Sequence, residues 1–454
     1  MLDAKICQKA RLSRDPRFDG KFFTAVKTTG IYCRSICPVF PPKEENVLYI
    51  ATAVECAQAG FRPCLRCRPD SAPNSPAWKG VSTTLERAIS LINEGALQYS
   101  SLSLLAERLG ISDRYLRQLF KKHIGMPPKA YALYQQCLFA KQLLHQTNLP
   151  ITQVALASGF SSVRRFNDCF QSQLKITPTQ LRKSDNSAAN FLTLTLYYRP
   201  PFNWSHMQAL LSNRAISKLE WCDENSYGRT FNWFNCVGNF TAKHQESIHA
   251  FEVCIELDNI KYLKAIIANI RRLLDLDVDM QVVENEIKAC FPNDFLINEG
   301  IRLPDIWDMF DAGTRAILGQ QISVVAARNL VEKLVHELGE PIGEHKLFPT
   351  PKAIAESDLA FFKMPLSRKQ TLQNLANHYL ACENADDPEQ WLKLKGIGPW
   401  TVEYARIRGL SEPDIFLAGD LGVKKAMKNL KADFDIEQAS PWRSYLTFQL
   451  WSQL

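Results

Sequence analysis

Four cysteines in two close pairs, Cys33-x3-Cys37 and Cys64-x2-Cys67, have the spacing in this chain best suited to chemistry. Each pair can clamp one edge of a tetrahedral zinc ion, for which thiolates are favoured donors. The second pair stands in the basic run Phe61-Arg62-Pro63-Cys64-Leu65-Arg66-Cys67-Arg68-Pro69. An anionic metal–thiolate cluster is therefore flanked by side chains that attract phosphate. A thiolate is also a nucleophile, so two readings stand side by side: a structural zinc module and a reactive one. Cys7, Cys56, Cys137 and Cys169 lack ligand spacing and read as buried thiols.

A second constellation lies near the other end, in Leu392-Lys393-Leu394-Lys395-Gly396-Ile397-Gly398-Pro399-Trp400-Thr401-Val402-Glu403-Tyr404. An apolar helix end, a Gly-Ile-Gly turn and a new helix leave bare backbone at Gly396 and Gly398, just ahead of Thr401. Amides there can approach a DNA phosphate, and the following helix N-terminus favours the anion. The plain alternative is a tight helix–helix turn. About twenty residues on, Asp420 is a lone carboxylate between Gly419 and Gly422.

The elements that carry DNA-reading side chains are repeated. Leu102, Ala106, Gly110, Ile111 and Ser112 recur as Ile151, Ala155, Gly159, Phe160 and Ser161-Ser162, and Leu116, Phe120 and Pro128 are echoed by Phe166, Phe170 and Pro178. Each copy predicts helix, glycine turn and second helix, with a small alanine where the helices cross: a helix-turn-helix in tandem. The first recognition helix would carry Arg114, Arg117, Gln118 and Lys121, the second Arg164, Arg165 and Asn167. Arg pairs with guanine, Gln and Asn with adenine, and Lys with phosphate.

Charge points the same way. Of a net +7, the stretch Ser100–Asp185 carries +8 and leaves the rest of the chain near neutral, the footprint of a polyanion binder. At 454 residues the chain requires several domains. Pro- and Ser-rich segments at Pro69–Pro76 and Lys183–Asn190 read as linkers, and Phe191–Tyr197 alternates as a strand. No secretory leader or membrane span is expected, and 13 cysteines then read as ligands and thiols rather than disulfides.

Three resemblances rest on these residues. The tandem repeat resembles the DNA-binding domain of the AraC transcription-regulator family over its whole length. Thr28-Thr29-Gly30-Ile31-Tyr32-Cys33-Arg34, Glu45-Asn46-Val47 and Ala59-Gly60-Phe61-Arg62-Pro63-Cys64 resemble the Ada N-terminal domain, a zinc module that repairs methylphosphotriesters in DNA. That likeness implies Cys33 as methyl acceptor and Cys33, Cys37, Cys64 and Cys67 as zinc ligands. Pro200-Pro201-Phe202-Asn203-Trp204, Ala316–Val324, the Gly-Ile-Gly hairpin, the Asp420 run and Pro441-Trp442-Arg443-Ser444-Tyr445 resemble the helix-hairpin-helix DNA glycosylases of the AlkA type. This implies Asp420 as catalytic carboxylate, Trp400, Tyr404 and Trp451 as the base pocket, and Gln321 as the wedge that fills the gap left by a flipped nucleotide. Trp400 occupies the place where bifunctional relatives carry a Schiff-base lysine, which implies a monofunctional enzyme.

The expected fold is multidomain α+β: a zinc domain over residues 1–72, an all-α tandem helix-turn-helix over 80–184, a β-rich AlkA N-terminal-like lobe over 191–300 and an all-α helix-hairpin-helix domain over 301–454. The expected function joins methyl acceptance and transcription regulation to hydrolytic release of alkylated purines such as 3-methyladenine. The alternative is a methylation-sensing regulator with a catalytically inactive glycosylase-like half. Expected partners are double-stranded DNA, both damaged and promoter, and RNA polymerase, for a cytoplasmic, nucleoid-associated monomer that avoids membranes.

Overall fold

The computed structural model describes residues 3–14, 18, 21–37, 39–52, 55–56, 59–64, 67, 69, 81–93, 95–182, 192–234, 236–290, 297–382, 385–430 and 436–453. Arg66, Arg68, Phe191, the linker at 183–190 and all of the 69–76 linker except Pro69 lie outside the described residues. The chain forms two compact units, Met1–Ala132 and Leu133–Leu454. The division falls inside the helix Pro128–Gln146, between the two helix-turn-helix copies, rather than at the linker read from sequence. Among the described residues no helix is long and apolar enough to cross a membrane.

In the first unit a sheet of order β3-β1-β2-β4 is built from β1 (Phe23–Val26), β2 (Ile31–Arg34), β3 (Val47–Ile50) and β4 (Arg62–Pro63). Phe23, Ala25, Tyr32 and Cys56 make its core. The helix Ala4–Ser13 is held to the sheet by buried Arg11, which bonds Tyr49 Oη at 3.1 Å and pairs with Glu44. The first helix-turn-helix, Leu102–Arg108 and Asp113–His123, packs with the helix Val81–Asn93 around Leu105, Ala106, Leu116 and Phe120.

In the second unit, the second copy (Ile151–Ala157 and Val163–Leu174) does not have a core of its own. Phe160, Phe166 and Phe170 belong to one apolar cluster with Leu194, Phe240, Val253 and Ile267 of the β-rich lobe. Gln146 Oε1 also accepts the Thr195 amide at 3.1 Å. A short helical pair buries too little apolar surface to stand alone, and here the sheet completes it.

That sheet is antiparallel with order β5-β9-β8-β7-β6, from β5 (Leu192–Tyr197), β6 (Glu220–Cys222), β7 (Ser226–Trp233), β8 (Cys236–Gln245) and β9 (Ala250–Leu257). The remaining helices pack around Met309–Gly319, which runs against Pro399–Leu410. A Cβ on Gly409 would lie 2.5 Å from Met309 Sδ, so a glycine there lets the helices touch.

The β-rich and helical parts abut directly, as expected: Ile216 and Leu219 share a core with Ile317, Leu334 and Ile397. A buried lattice also joins them. Arg229 reaches Asp311 at 3.1 Å and Glu220 at 3.3 Å, and Arg315 reaches Asp311 at 2.7 Å and Glu220 at 2.9 Å. Each charge meets two of opposite sign, which offsets the desolvation that an unpaired buried ion would suffer.

Candidate functional sites and family

Sheet register assembles the cysteine cluster. β1 and β2 pair with Thr24 opposite Cys33, and β4 runs parallel to β2 with Tyr32 opposite Pro63. The Cys64 amide then donates to Tyr32 O at 3.0 Å, bringing the second cysteine pair beside the first. The four sulfurs of Cys33, Cys37, Cys64 and Cys67 lie within 4.8 Å of one another. Zinc bound to thiolates at roughly 2.3 Å in a tetrahedron separates its sulfurs by roughly 3.8 Å, so this donor set fits the ion. Close thiols also split one another's protonation: hydrogen bonds with Cys37 and Cys67 push Cys33 far up, while the bond with Cys33 holds Cys37 well down. A shared dication satisfies all four sulfurs at once. Cys64 and Cys67 are 7% exposed, whereas Cys33 at the end of β2 keeps partial exposure. Buried Arg34 braces the cluster, its amide donating to Cys67 Sγ at 3.3 Å and its Nη1 to Cys67 O at 3.2 Å.

Both recognition helices start on serine caps. Ser112 Oγ accepts the Tyr115 amide and Ser162 Oγ the Arg165 amide, each at 3.2 Å, satisfying donors that a helix start leaves open. Leu116 and Phe120, and likewise Phe166 and Phe170, face inward. Arg114, Gln118, Lys121, Arg164, Arg165 and Asn167 are exposed. Arg117 is exposed but bonded at 2.9 Å to Asp113, one turn before it.

In the second unit a cavity of about 920 Å³ is lined by Asp420, Trp400, Tyr404 and Trp451. Asp420 directly precedes the helix Leu421–Leu430 and caps it, Oδ1 accepting the Val423 amide at 3.1 Å. The same oxygen accepts Trp451 Nε1 at 3.0 Å. Trp400 and Tyr404 stack at 5.3 Å and 27°, one helical turn apart. Leu421 stands 78% exposed beside the carboxylate.

The hairpin flanks this cavity. Gly396 has φ +94°, and a Cβ there would lie 1.9 Å from Thr371 Oγ1, so only glycine fits. Gly398 opens onto free space at the N-cap of Pro399–Leu410. Gln321 is exposed on the loop between two helices, with φ +59°. Thr401, expected among the DNA contacts, is 2% exposed, and its hydroxyl accepts from Gln320 Nε2 at 3.1 Å. Gln320 Nε2 also bonds Gly396 O at 3.1 Å, so Thr401 anchors the loop that carries Gln321.

Comparison with known proteins gives the same four parts in the same order. Residues 6–70 match the metal binding domain of Ada, 105–184 a helix-turn-helix domain, 193–308 the AlkA N-terminal domain, and 314–446 the HhH-GPD superfamily of base excision DNA repair proteins. A probable bifunctional transcriptional activator/DNA repair enzyme AlkA of Mycobacterium tuberculosis is 35% identical over 100% of this chain and 97% of its own length. The chain belongs to this AlkA-type bifunctional family. DNA-3-methyladenine glycosylase 2 of Escherichia coli is 32% identical over 57% of the chain and 96% of its own length. The bifunctional transcriptional activator/DNA repair enzyme Ada of the same organism is 34% identical over 39% of the chain and 49% of its own length.

As a member of this AlkA-type family the chain is a DNA glycosylase with an Ada-like zinc domain. The structure also brings to the cavity residues that sequence reasoning missed. Arg214, Arg328 and Arg408 line it, and Gln320 ties its loop to the hairpin. Nothing in the sequence spacing of Arg214 or Arg408 marks either residue.

Proposed function

We propose that this protein responds to DNA alkylation in two ways: it hydrolyses the N-glycosidic bond of alkylated purines such as 3-methyladenine, and it takes methyl groups from backbone phosphotriesters onto Cys33, acting on promoters as a regulator. The observation that carries the first activity is the Asp420 carboxylate beside stacked Trp400 and Tyr404 in one cavity. A flipped base slides against the aromatic pair, where π-faces take a planar, electron-poor ring. As the bond from C1′ to the base nitrogen lengthens, the sugar gains oxocarbenium character, which the Asp420 carboxylate stabilises. Both hydrogen bonds to Asp420 fall on Oδ1, leaving Oδ2 to face the sugar. The base departs with the bonding electron pair, and water adds to C1′ and gives up one proton to solvent. Trp400 offers no amine for a Schiff base, which supports a monofunctional enzyme. Gln321, exposed at the rim, is suited to fill the vacated stack, with Gly396 and Gly398 against the backbone.

At the zinc domain, bound zinc keeps the four sulfurs deprotonated at neutral pH. The Cys33 sulfur attacks the methyl carbon of a neutral phosphotriester; a C–S bond forms, the C–O bond breaks and the phosphodiester leaves as an anion. Cys33 is the acceptor that the resemblance to the Ada zinc domain implies, and its partial exposure, which Cys37 shares while Cys64 and Cys67 are buried, is compatible with that role. The thioether carries one negative charge less, so the site repels DNA less afterwards. Regulation then runs through Arg114, Arg117, Gln118 and Lys121 on one helix and Arg164, Arg165 and Asn167 on the other. A cytoplasmic monomer that contacts RNA polymerase at promoters completes this reading.

The test uses the full chain and duplex DNA carrying isotopically labelled methyl groups. Free 3-methyladenine in solution and label retained on the protein are both expected, and Cys33→Ser should remove the second while sparing the first. Normal label uptake by Cys33→Ser would contradict that thiol's role.

A further inference from the structure

Phe40, in the zinc domain, is the most exposed large apolar side chain among the described residues, at 89%. Val39 and Pro41 on either side of it are exposed as well. The stretch Pro38-Val39-Phe40-Pro41-Pro42 holds no charge, an odd composition beside a site that must meet a polyanion. The loop is nonetheless fixed at both ends. The Val39 amide bonds the Cys37 sulfur, Arg14 Nη2 donates to Val39 O at 3.4 Å, and Arg11 Nη1 donates to Pro42 O at 3.2 Å. Arg11 is itself buried and tied to Tyr49 and Glu44, and Pro41 and Pro42 restrict the backbone just past the ring. Three residues along the chain from Cys37, the Phe40 backbone lies within roughly 11 Å of that ligand. A braced loop therefore presents an aromatic ring to solvent next to the thiolates.

The two forms of DNA backbone differ in how they tolerate such a ring. An ordinary phosphodiester must shed water from a full charge to lie against apolar surface, whereas a methylated phosphotriester is neutral and offers an apolar methyl. Basic side chains in the same place would do the reverse and favour the intact phosphate. We propose that Phe40 is a specificity residue of the methyl-transfer site: its ring packs on the methylated phosphotriester and the adjoining deoxyribose, so that capture favours damaged over intact backbone. This rests on the reading of Cys33 as methyl acceptor. The transfer itself stays with the zinc-bound sulfurs, and Phe40 acts on binding.

A duplex with one labelled methylphosphotriester and no damaged base is the substrate, and the same duplex without the methyl is the competitor. Single-turnover label transfer is followed over a range of DNA concentrations with the zinc-loaded full chain, Phe40→Ala, Phe40→Leu and Phe40→Lys. Because the ring is exposed, each variant should keep its zinc and its melting temperature. Phe40→Ala should raise the half-saturating concentration of methylated duplex about tenfold, with the rate at saturation unchanged and competition by unmodified duplex little altered. Phe40→Leu should recover most of that loss, and Phe40→Lys should make unmodified duplex the stronger competitor. An unchanged half-saturating concentration in Phe40→Ala overturns this inference and leaves the Cys33 reading standing. Equal weakening toward methylated and unmodified duplexes also overturns it, because the ring is then a general DNA contact. No label uptake by the wild type overturns both.

Discussion

Asp420 does two jobs with one oxygen. Its Oδ1 caps the helix Leu421–Leu430 and accepts the indole N–H of Trp451, so the carboxylate is locked before substrate arrives. Such preorganisation places charge where it develops in the reaction, with little reorganisation to follow. The sequence assigns Trp451 to the base pocket; the structure adds that its nitrogen holds the carboxylate. Trp451→Phe keeps a ring against Phe448 but removes a hydrogen bond to a charged group. It should slow base release by roughly tenfold with little loss of stability, measured as single-turnover rate beside a melting curve. The four cysteines are legible because they stand at short, unusual spacings, whereas Asp420 is singled out by the resemblance of its surroundings to the AlkA-type glycosylases. Arg214 is marked in neither way, because only folding joins the end of one helix to a carboxylate some two hundred residues away.

At the scale of elements, the tandem repeat is the most legible part of the chain. Ala106 and Ala155, Gly110 and Gly159, and the capping Ser112 and Ser162 each meet a local requirement that the sequence states directly. The two recognition helices nevertheless differ in their exposed charges. Arg117 is paired with Asp113, whereas Arg164 and Arg165 follow an uncharged cap. Arg164→Ala should weaken binding to a promoter by about 1–3 kcal/mol while changing binding to random DNA little. Arg117→Ala should do less, since Arg117 gives up an existing ion pair to reach a base. Titration of both variants against promoter and random duplexes checks this, and equal loss on both DNAs would make Arg164 a phosphate contact.

At the scale of the molecule, four sequence domains resolve into two compact units. The reason lies in packing that no local pattern encodes: Phe166 and Phe170 bury against Val253 and Leu194 across a sequence segment read as a linker. Asp275 is a further tie within the second unit. Its carboxylate accepts the Leu303 amide at 2.9 Å and the Tyr445 hydroxyl at 3.0 Å, beside Arg302. Burial outweighs these partners and pushes its pKa up to about 7 from 3.8. A carboxyl raised in the folded state favours folding fully below about pH 4, and that contribution is lost as pH rises through about 7. Between pH 6 and pH 8 the loss should be roughly 1 kcal/mol. Denaturant unfolding at both pH values should show it in the wild type and show it diminished in Asp275→Asn.

The central claim is that Asp420 makes this cavity an active glycosylase within a protein that also senses damage. The measurement closest to it is release of 3-methyladenine from methylated duplex DNA by the full chain and by Asp420→Asn, with DNA affinity followed in parallel. Release by the wild type that vanishes in the variant, with affinity largely retained, is the predicted result. Release that survives in Asp420→Asn, or none from folded, zinc-loaded wild type, would contradict it.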